Sequence, residues 1–375
     1  MKKIIEVSSD TNIGGAGKCL LTLLTEFDRR KYEIAVILPE NSLLKPHIEV
    51  LGIDIIEVKG IADKSLDLKI IGTLKKIIKE QKADLVHAHA SMSARIAARL
   101  AGCKVVYTRH SVFPPPQLIS KGIGKVANGM VNNFFADGII AVAEAAKDNL
   151  TETGIDPSKI TVILNGINGL TPQTEEQKLE TRKKYGLSSD DLVISIVARL
   201  EDIKGHDYFI EAAGKLKEKG IKAKFVIAGN GSYEEHLKEK TKEMGLDDTV
   251  IFTGFIQDVP SLMNITYIQC NASYGTEATS LALLEGMSLG IPAVVSDFGG
   301  NPGVISNGDN GFVVEKCNAD ALADGIEKLI CDDTKYKKMS KRCLEIFNAK
   351  FTAKAMTEQT EELYDKIMGN KKGSV

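Results

Sequence analysis

The sequence predicts an α/β protein built from two doubly wound domains, and three observations carry that prediction. Short apolar runs alternate with amphipathic stretches along nearly the whole chain. The alternation lapses once, in a polar stretch beyond Asn165-Gly166, and then restarts with the same grammar. Finally, 375 residues, 43% of them hydrophobic and 26% charged, are enough for two cores of ordinary size. Strand and helix in alternation give a mainly parallel sheet covered on both faces.

The first strand is KKIIEV at 2–7, which runs into a Gly-rich turn, Gly14-Gly15-Ala16-Gly17. Leu20, Leu21, Leu23 and Leu24 follow at helical spacing. Further strands are predicted at 32–38, 54–58, 84–89, 104–110, 137–143 and 160–166, with amphipathic stretches at 68–80 and 91–101 between them. The polar stretch TPQTEEQKLETRKKYGLSSDD, 171–191, separates the halves. The second half reads as strand 192–200, helix 207–219, strand 224–229, helix 233–244 and strand 250–254. Strand 267–273, helix 279–289, strand 292–297 and helix 319–331 complete it. The domains join near 166–175 and are drawn as 1–168 and 169–351. A segment 352–375, carrying the helical stretch Thr352–Met368, is expected to pack back onto the first domain. Ligands of such folds sit beyond the carboxyl ends of the strands, so the cleft between the domains is the expected site.

Composition narrows the function. Net charge is −2, which argues against general nucleic-acid binding. Cys19, Cys103, Cys270, Cys317, Cys331 and Cys343 are scattered with no CxxC pair, so neither a zinc site nor a disulfide framework follows, and a reducing compartment is expected. The apolar run at the N-terminus is too short for a secretory signal, and no stretch approaches the ~18 apolar residues of a membrane span. A cytoplasmic protein is expected. The charge is uneven: no acid lies between Asp84 and Asp137, a span holding Arg95, Arg99, Lys104, Arg109, Lys121 and Lys125 with His87, His89 and His110. Such a segment creates a positive surface in one half of the molecule.

Several attractive motifs fail. Gly17-Lys18 is followed by Cys19 and preceded, at position 12, by Asn, which breaks the P-loop pattern. Gly15-Ala16-Gly17 lacks the third glycine of the dinucleotide fingerprint, because position 20 is Leu. Gly229-Asn230-Gly231 lies between a strand and a helix, where a lone GxG is ordinarily a tight turn. No Asp-x-Asp occurs, so the usual carboxylate pair for a metal–diphosphate complex is absent and no metal is expected.

What holds is a constellation. Arg199 ends a strand and Lys204 follows before Gly205; a planar guanidinium and an ammonium suit a diphosphate held without metal. In YGTEATSLALLEGMSLGIP, 274–292, Thr279 or Ser280 caps a helix whose free first-turn amides make an anion site. Glu277 stands beside that site and Glu285 lies eight positions on, two acceptors for two sets of hydroxyls; taken singly, each also fits an ordinary helix-start or surface charge. Gly14-Gly15 offers a backbone turn open to close approach by a ligand. His110 ends a strand before Pro114-Pro115-Pro116, and a single His there is compatible with a structural role too.

Together these residues resemble the retaining nucleotide-sugar glycosyltransferases of the GT-B fold, family four. Gly14-Gly15 resembles the family's N-terminal glycine loop; HAHAS at 87–91 and YTRH at 107–110 resemble its HxHS-type and TxH strand ends. NGI at 165–167 resembles the NG[VI]D junction, with Asn168 in place of the usual Asp. ARLEDIKG at 198–205 is similar to the RLxxxKG motif, and Glu277 with Glu285 to the Ex7E motif. GGNPGVISNGDNGFVV is similar to the segment that follows, with Gly303 where the family commonly has Glu.

The resemblance implies two Rossmann-like domains facing a cleft and transfer of a hexosyl-type sugar from a nucleoside-diphosphate donor, UDP first and GDP second, to a hydroxyl acceptor. It implies that Arg199 and Lys204 hold the diphosphate, with the amides around Ser280 and Leu281. Glu277 would bind sugar hydroxyls, Glu285 the ribose diol, and His110 would lie by the transferred sugar. Gly14, Gly15, Gly229 and Asn230 join the expected donor-binding set, with the base near Phe255–Asp258. The leaving diphosphate oxygen would take the acceptor's proton in a front-face, retaining reaction. A nucleotide-sugar 2-epimerase of the same fold and a non-catalytic sugar-nucleotide subunit are the alternatives. Residues 111–138 mix lysines with apolar side chains, as in a segment that docks on the inner face of an anionic membrane to reach a lipid-linked acceptor. The favoured expectation for Val126, Met130, Val131, Phe134 and Phe135 themselves is that they face the core.

Overall fold

The computed structural model describes residues 1–369. The chain forms two compact units, one of Met1–Ile167 with the segment from Thr352, the other of Asn168–Phe351. Residues 370–375 of the expected C-terminal segment lie outside the described residues.

The first unit contains β1 (Lys2–Ser8), β2 (Tyr32–Pro39), β3 (Asp54–Val58), β4 (Leu85–His89), β5 (Lys104–Arg109), β6 (Gly138–Ala141) and β7 (Ile160–Val162). They pair in the order β3-β2-β1-β4-β5-β6-β7, every pairing parallel. The apolar runs bury both faces, as parallel strands under helices must. The second unit contains β8 (Val193–Val197), β9 (Lys224–Ala228), β10 (Val250–Gly254), β11 (Ile268–Asn271), β12 (Ala293–Ser296) and β13 (Gly311–Val314). Its order is β10-β9-β8-β11-β12-β13, again all parallel. Both sheets therefore reverse their strand order beside the first strand, between β1 and β4 and between β8 and β11. The crevice beyond the strand ends at such a reversal is where a doubly wound sheet takes its ligand.

The helix Ala353–Met368 belongs to the first unit. Its Met356, Leu363 and Tyr364 share one core cluster with Ile4, Leu20 and Val36. Its start is capped by Thr352, which accepts from the Ala355 amide.

The sequence reading lacks β13 and the helices Glu144–Glu152 and Val259–Ile265, and three further differences stand out. Within the polar stretch, Glu175–Lys184 is a helix started by a capping box in which Thr174 and Gln177 exchange bonds; it has almost no apolar face, so periodicity gives no sign of it. Asp333–Lys350 is a further helix in a largely charged stretch. The third difference is a correction. In the helix Gly122–Phe134, Val126, Met130 and Phe134 are 60%, 69% and 64% exposed, with Ile123 at 88%, and Val131 is exposed as well. The packed face is the small, polar one. A Cβ at Gly129 would stand 2.1 Å from the Gly154 carbonyl oxygen. Asn128 donates to the Thr153 carbonyl, and buried Arg95 donates to the Asn132 side chain and carbonyl at 3.0 and 3.1 Å. The helix thus lies with its apolar stripe outward. Of the five side chains expected in the core, only Phe135 is half-buried.

Candidate active site

The expected site residues fall into two groups, one in each unit. In the second unit, the chain leaves β8 through Ala198 and Arg199, passes a short turn at Asp202–Lys204, and enters the helix His206–Glu218. Gly205 makes that entry at φ +72°, where a Cβ would lie 2.2 Å from the Ala272 carbonyl oxygen just past β11. This close approach carries Lys204 onto the loop after β11. Its ammonium donates to the Thr276 carbonyl oxygen at 2.8 Å and to Glu277 Oε2 at 3.2 Å. Asn271 Nδ2 and Ser273 Oγ each donate to the same Oε2 at 3.2 Å. The Gly300 amide donates to the Glu277 carbonyl oxygen, which fixes the backbone as well. Asp202 is bonded to the Tyr274 hydroxyl, tying the Lys204 turn to the same loop.

Ser280 caps the helix Leu281–Ser288, accepting from the Leu283 amide, and no acidic residue occupies its first turn. Glu285 is half-buried on that helix. Arg199 is different in kind: its side chain is 68% exposed and pairs with Glu201 at 2.7 Å. Gly229 sits at φ +151°, with a Cβ position 2.0 Å from the Ala198 carbonyl oxygen, and the Asn230 carbonyl accepts from the Leu200 amide. These two residues therefore buttress the loop that bears Arg199. Together this end of the second sheet offers two cations, a capped helix start and two carboxylates, which suits an anion flanked by hydroxyls.

In the first unit, Gly14 is the N-cap of the helix Gly15–Glu26, and a Cβ at either Gly14 or Gly15 would meet nothing within 4 Å. The protein's own packing does not demand glycine at these positions. His110 follows β5 and is half-buried. It closes a cluster that sequence reasoning missed. In the sheet register Glu6 stands beside His87, Ser8 beside His89, and His89 beside Thr108. Because side chains alternate along a strand, Glu6, His87, His89, Thr108 and His110 share one face. Glu6 Oε2 lies 2.9 Å from His89 Nε2 and 3.0 Å from His87 Nδ1, while Tyr364 donates to Glu6 Oε1 at 2.9 Å. Nε2 of His87 meets Thr108 Oγ1 at 2.7 Å, and Nδ1 of His89 meets His110 Nε2 at 2.9 Å.

Burial alone would push the Glu6 carboxyl up, but the electrostatic pull and hydrogen bond of His87, with the hydrogen bond of His89, outweigh it and hold it at about 2. Burial, with His87 beside it, lowers His89 against the pull of Glu6. His110 falls well below the ordinary imidazole range through burial and the neighbouring His89 and His87. A buried carboxylate without partners would cost several kcal/mol, so this one persists only because the cluster satisfies it. Glu6, His87 and His89 also place one ligand atom each within 4.8 Å of one another, the group with metal-like spacing among the described residues. Glu6 Oε2 already lies within 3.0 Å of both nitrogens, and the Tyr364 hydroxyl lies 2.6 Å from His87 Nδ1. The sequence signal was an acid inside an apolar strand and the i, i+2 histidines of HAH.

Two family models match the chain: residues 13–168 match Glycosyltransferase Family 4, and residues 177–344 match Glycosyl transferases group 1. Over 318 residues, 81% of each protein, the sequence is 30% identical to the UDP-Gal:alpha-D-GlcNAc-diphosphoundecaprenol alpha-1,3-galactosyltransferase of Escherichia coli. A glycosyltransferase from Rickettsia africae has a similar backbone, with a TM-score of 0.84 at 24% identity over 99% of each chain. So does Anabaena Alr3699/HepE in complex with UDP-glucose, with a TM-score of 0.83 at 22% identity, over 98% of this chain and 100% of that one. Among the described residues no helix is long and apolar enough to cross a membrane.

Proposed function

The chain belongs to the family 4, group 1 glycosyltransferases, with the GT-B fold, and on that premise we propose that it moves a hexosyl-type sugar from a nucleoside-diphosphate sugar to a hydroxyl acceptor, retaining the anomeric configuration and using no metal. The observation that carries this reading is the Lys204–Glu277 pair beside the Ser280-capped helix. Lys204 and Arg199 hold the diphosphate, and the amides of Ser280 and Leu281 add hydrogen bonds. Positive charge and fixed donors matter most as the sugar–oxygen bond breaks and charge grows on the leaving oxygen. Glu277 uses its remaining acceptor capacity for sugar hydroxyls, and Glu285 takes the ribose diol. Gly14 and Gly15 leave the first unit's helix start open to the donor, and His110 lies by the transferred sugar. The acceptor oxygen bonds to the anomeric carbon on the face the diphosphate leaves, and the diphosphate oxygen takes its proton.

UDP is the favoured nucleotide, supported by the UDP-Gal in the Escherichia coli relative's name and by the UDP-glucose in the Anabaena complex. That relative's diphosphoundecaprenol acceptor supports a lipid-linked acceptor here. The outward stripe of Ile123, Val126, Met130 and Phe134, with Lys121 and Lys125 beside it, supports docking on an anionic bilayer from the cytoplasmic side.

Thermal unfolding with UDP, GDP, ADP and their sugar conjugates, in EDTA, tests the donor. A nucleotide at 100 times its dissociation constant should add about 2.7 kcal/mol. Arg199→Ala tests the phosphate assignment, because full activity in that variant would refute it. Conversion of the sugar nucleotide with no acceptor present would favour the epimerase instead.

A further inference from the structure

An ionised carboxylate accepts hydrogen bonds and donates none. Glu6 is buried and ionised, so the imidazole nitrogen 2.9 Å from its Oε2, Nε2 of His89, carries a hydrogen. A neutral imidazole holds one ring hydrogen, and burial with His87 beside it lowers the His89 imidazole from its ordinary range, which favours that form. In that form its Nδ1 is bare and accepts. The atom facing it at 2.9 Å is His110 Nε2, which must then be the donor. Burial, with His89 and His87 beside it, lowers His110 as well, and in the neutral form its own Nδ1 is left with a lone pair.

We propose that Glu6 and His89 are positioning residues that lock His110 in the tautomer with hydrogen on Nε2, so that Nδ1 accepts a hydrogen bond from a hydroxyl of the donor sugar. The contact with sugar rests on the reading of His110 given above; the relay rests on the first unit alone. It accounts for an acid in the middle of β1, where an apolar residue would serve packing better. It also accounts for three rings stepped along one face: His87 and His89 centroids are 4.4 Å apart, and His89 and His110 centroids 5.2 Å. Tyr364 and Thr108 hold Glu6 and His87 in place, so the chain of bonds has one open end, at His110.

The alternative occupant of the cluster makes the opposite prediction. A cation held by Glu6, His87 and His89 would take the lone pair of His89 Nε2 and move the hydrogen to Nδ1. His110 Nε2 would then accept, and Nδ1 would carry the hydrogen.

The test is a two-bond proton–nitrogen correlation spectrum of the full chain with 15N-labelled histidine, with His110 assigned by its loss in His110→Gln. The expected spectrum shows hydrogen on Nε2 and a bare Nδ1 for both His89 and His110. Hydrogen on Nδ1 of His110, or stoichiometric bound metal with that reversed pattern, overturns the relay. Glu6→Gln should then move His89 and His110 toward the other tautomer and lower kcat about 10- to 100-fold with a small change in KM for the donor. An unchanged tautomer and unchanged kcat in that variant overturn it too. Should Glu6→Gln fail to fold, the wild-type spectrum still decides. A wild-type relay in a protein that binds no nucleotide sugar would overturn the sugar contact and the functional reading, and leave the tautomer lock standing.

Discussion

Lys204 Nζ lies 3.2 Å from Glu277 Oε2, and the two side chains retain only 12% and 11% of their exposure. At that depth the pair is coupled to folding as well as to the proposed donor. Lys204→Ala leaves a largely buried carboxylate held by Asn271 and Ser273 alone, and should cost about 3 kcal/mol. Adding Glu277→Gln to it removes the orphaned charge and should recover about 1–2 kcal/mol, a coupling that urea denaturation of the double-mutant cycle measures. Both single variants should lose at least ~100-fold in turnover. Additive stabilities would show that the two groups do not act as a pair.

Glycines at the two sheets should respond in opposite ways. Gly14 has open space where a Cβ would go, so Gly14→Ala should hold its stability within about 0.5 kcal/mol. On the proposed donor site, its KM for the nucleotide sugar should nonetheless rise, because the added methyl group would occupy space assigned to the donor. Gly229→Ala meets the Ala198 carbonyl oxygen at 2.0 Å from a backbone at φ +151°, and should lose about 1–3 kcal/mol before any ligand is considered. A wild-type donor KM in Gly14→Ala would remove that loop from the donor site.

The contrast marks what a sequence can express. The Ser280 cap was legible because it depends on spacing within one turn, whereas Lys204 and Glu277 could be named only singly, each from its own loop, because the fold makes their pair. Glu6 was not, since its meaning depends on a register with His87 that only the pairing of β1 and β4 creates. Every strand but β13 was legible from an apolar run, whereas the helix Glu175–Lys184 has no apolar face to reveal it. For Gly122–Phe134 the apolar side chains were plain and the direction they face was not. An apolar stripe looks the same whether it packs inward or points outward, and here Arg95 and Asn132 claim the inner side.

His206 should give the second unit a pH-dependent stability. It is fully buried at the start of its helix, and neither ring nitrogen has a hydrogen-bond partner among the described residues. Burial pushes it from 6.5 to about 4, with Asp207 opposing and Lys204 assisting. Between those values the unfolded chain binds a proton that the folded chain does not, so stability is complete above 6.5 and falls as pH drops toward 4. From pH ~7.5 to pH ~4.5 the loss through this group should be about 2 kcal/mol. Denaturant titration of His206→Leu should show a shallower fall over the same range; equal slopes in the two proteins would contradict the assignment.

On the proposed docking to a bilayer, the stripe on Gly122–Phe134 is the surface that enters the lipid. Its side chains make little use of the core, so Met130→Glu should fold with wild-type stability, at 69% exposure for the residue replaced. Co-sedimentation with anionic vesicles should nevertheless fall, because a charge now sits where the apolar face would enter the interface. Replacing Lys121 and Lys125 by alanine should act separately, removing about 1 kcal/mol each and the salt sensitivity with it. The two effects have different signatures: the glutamate weakens binding at every salt concentration, the alanines mainly at low salt. Wild-type binding by Met130→Glu would mean that the outward stripe is not the surface that touches the membrane.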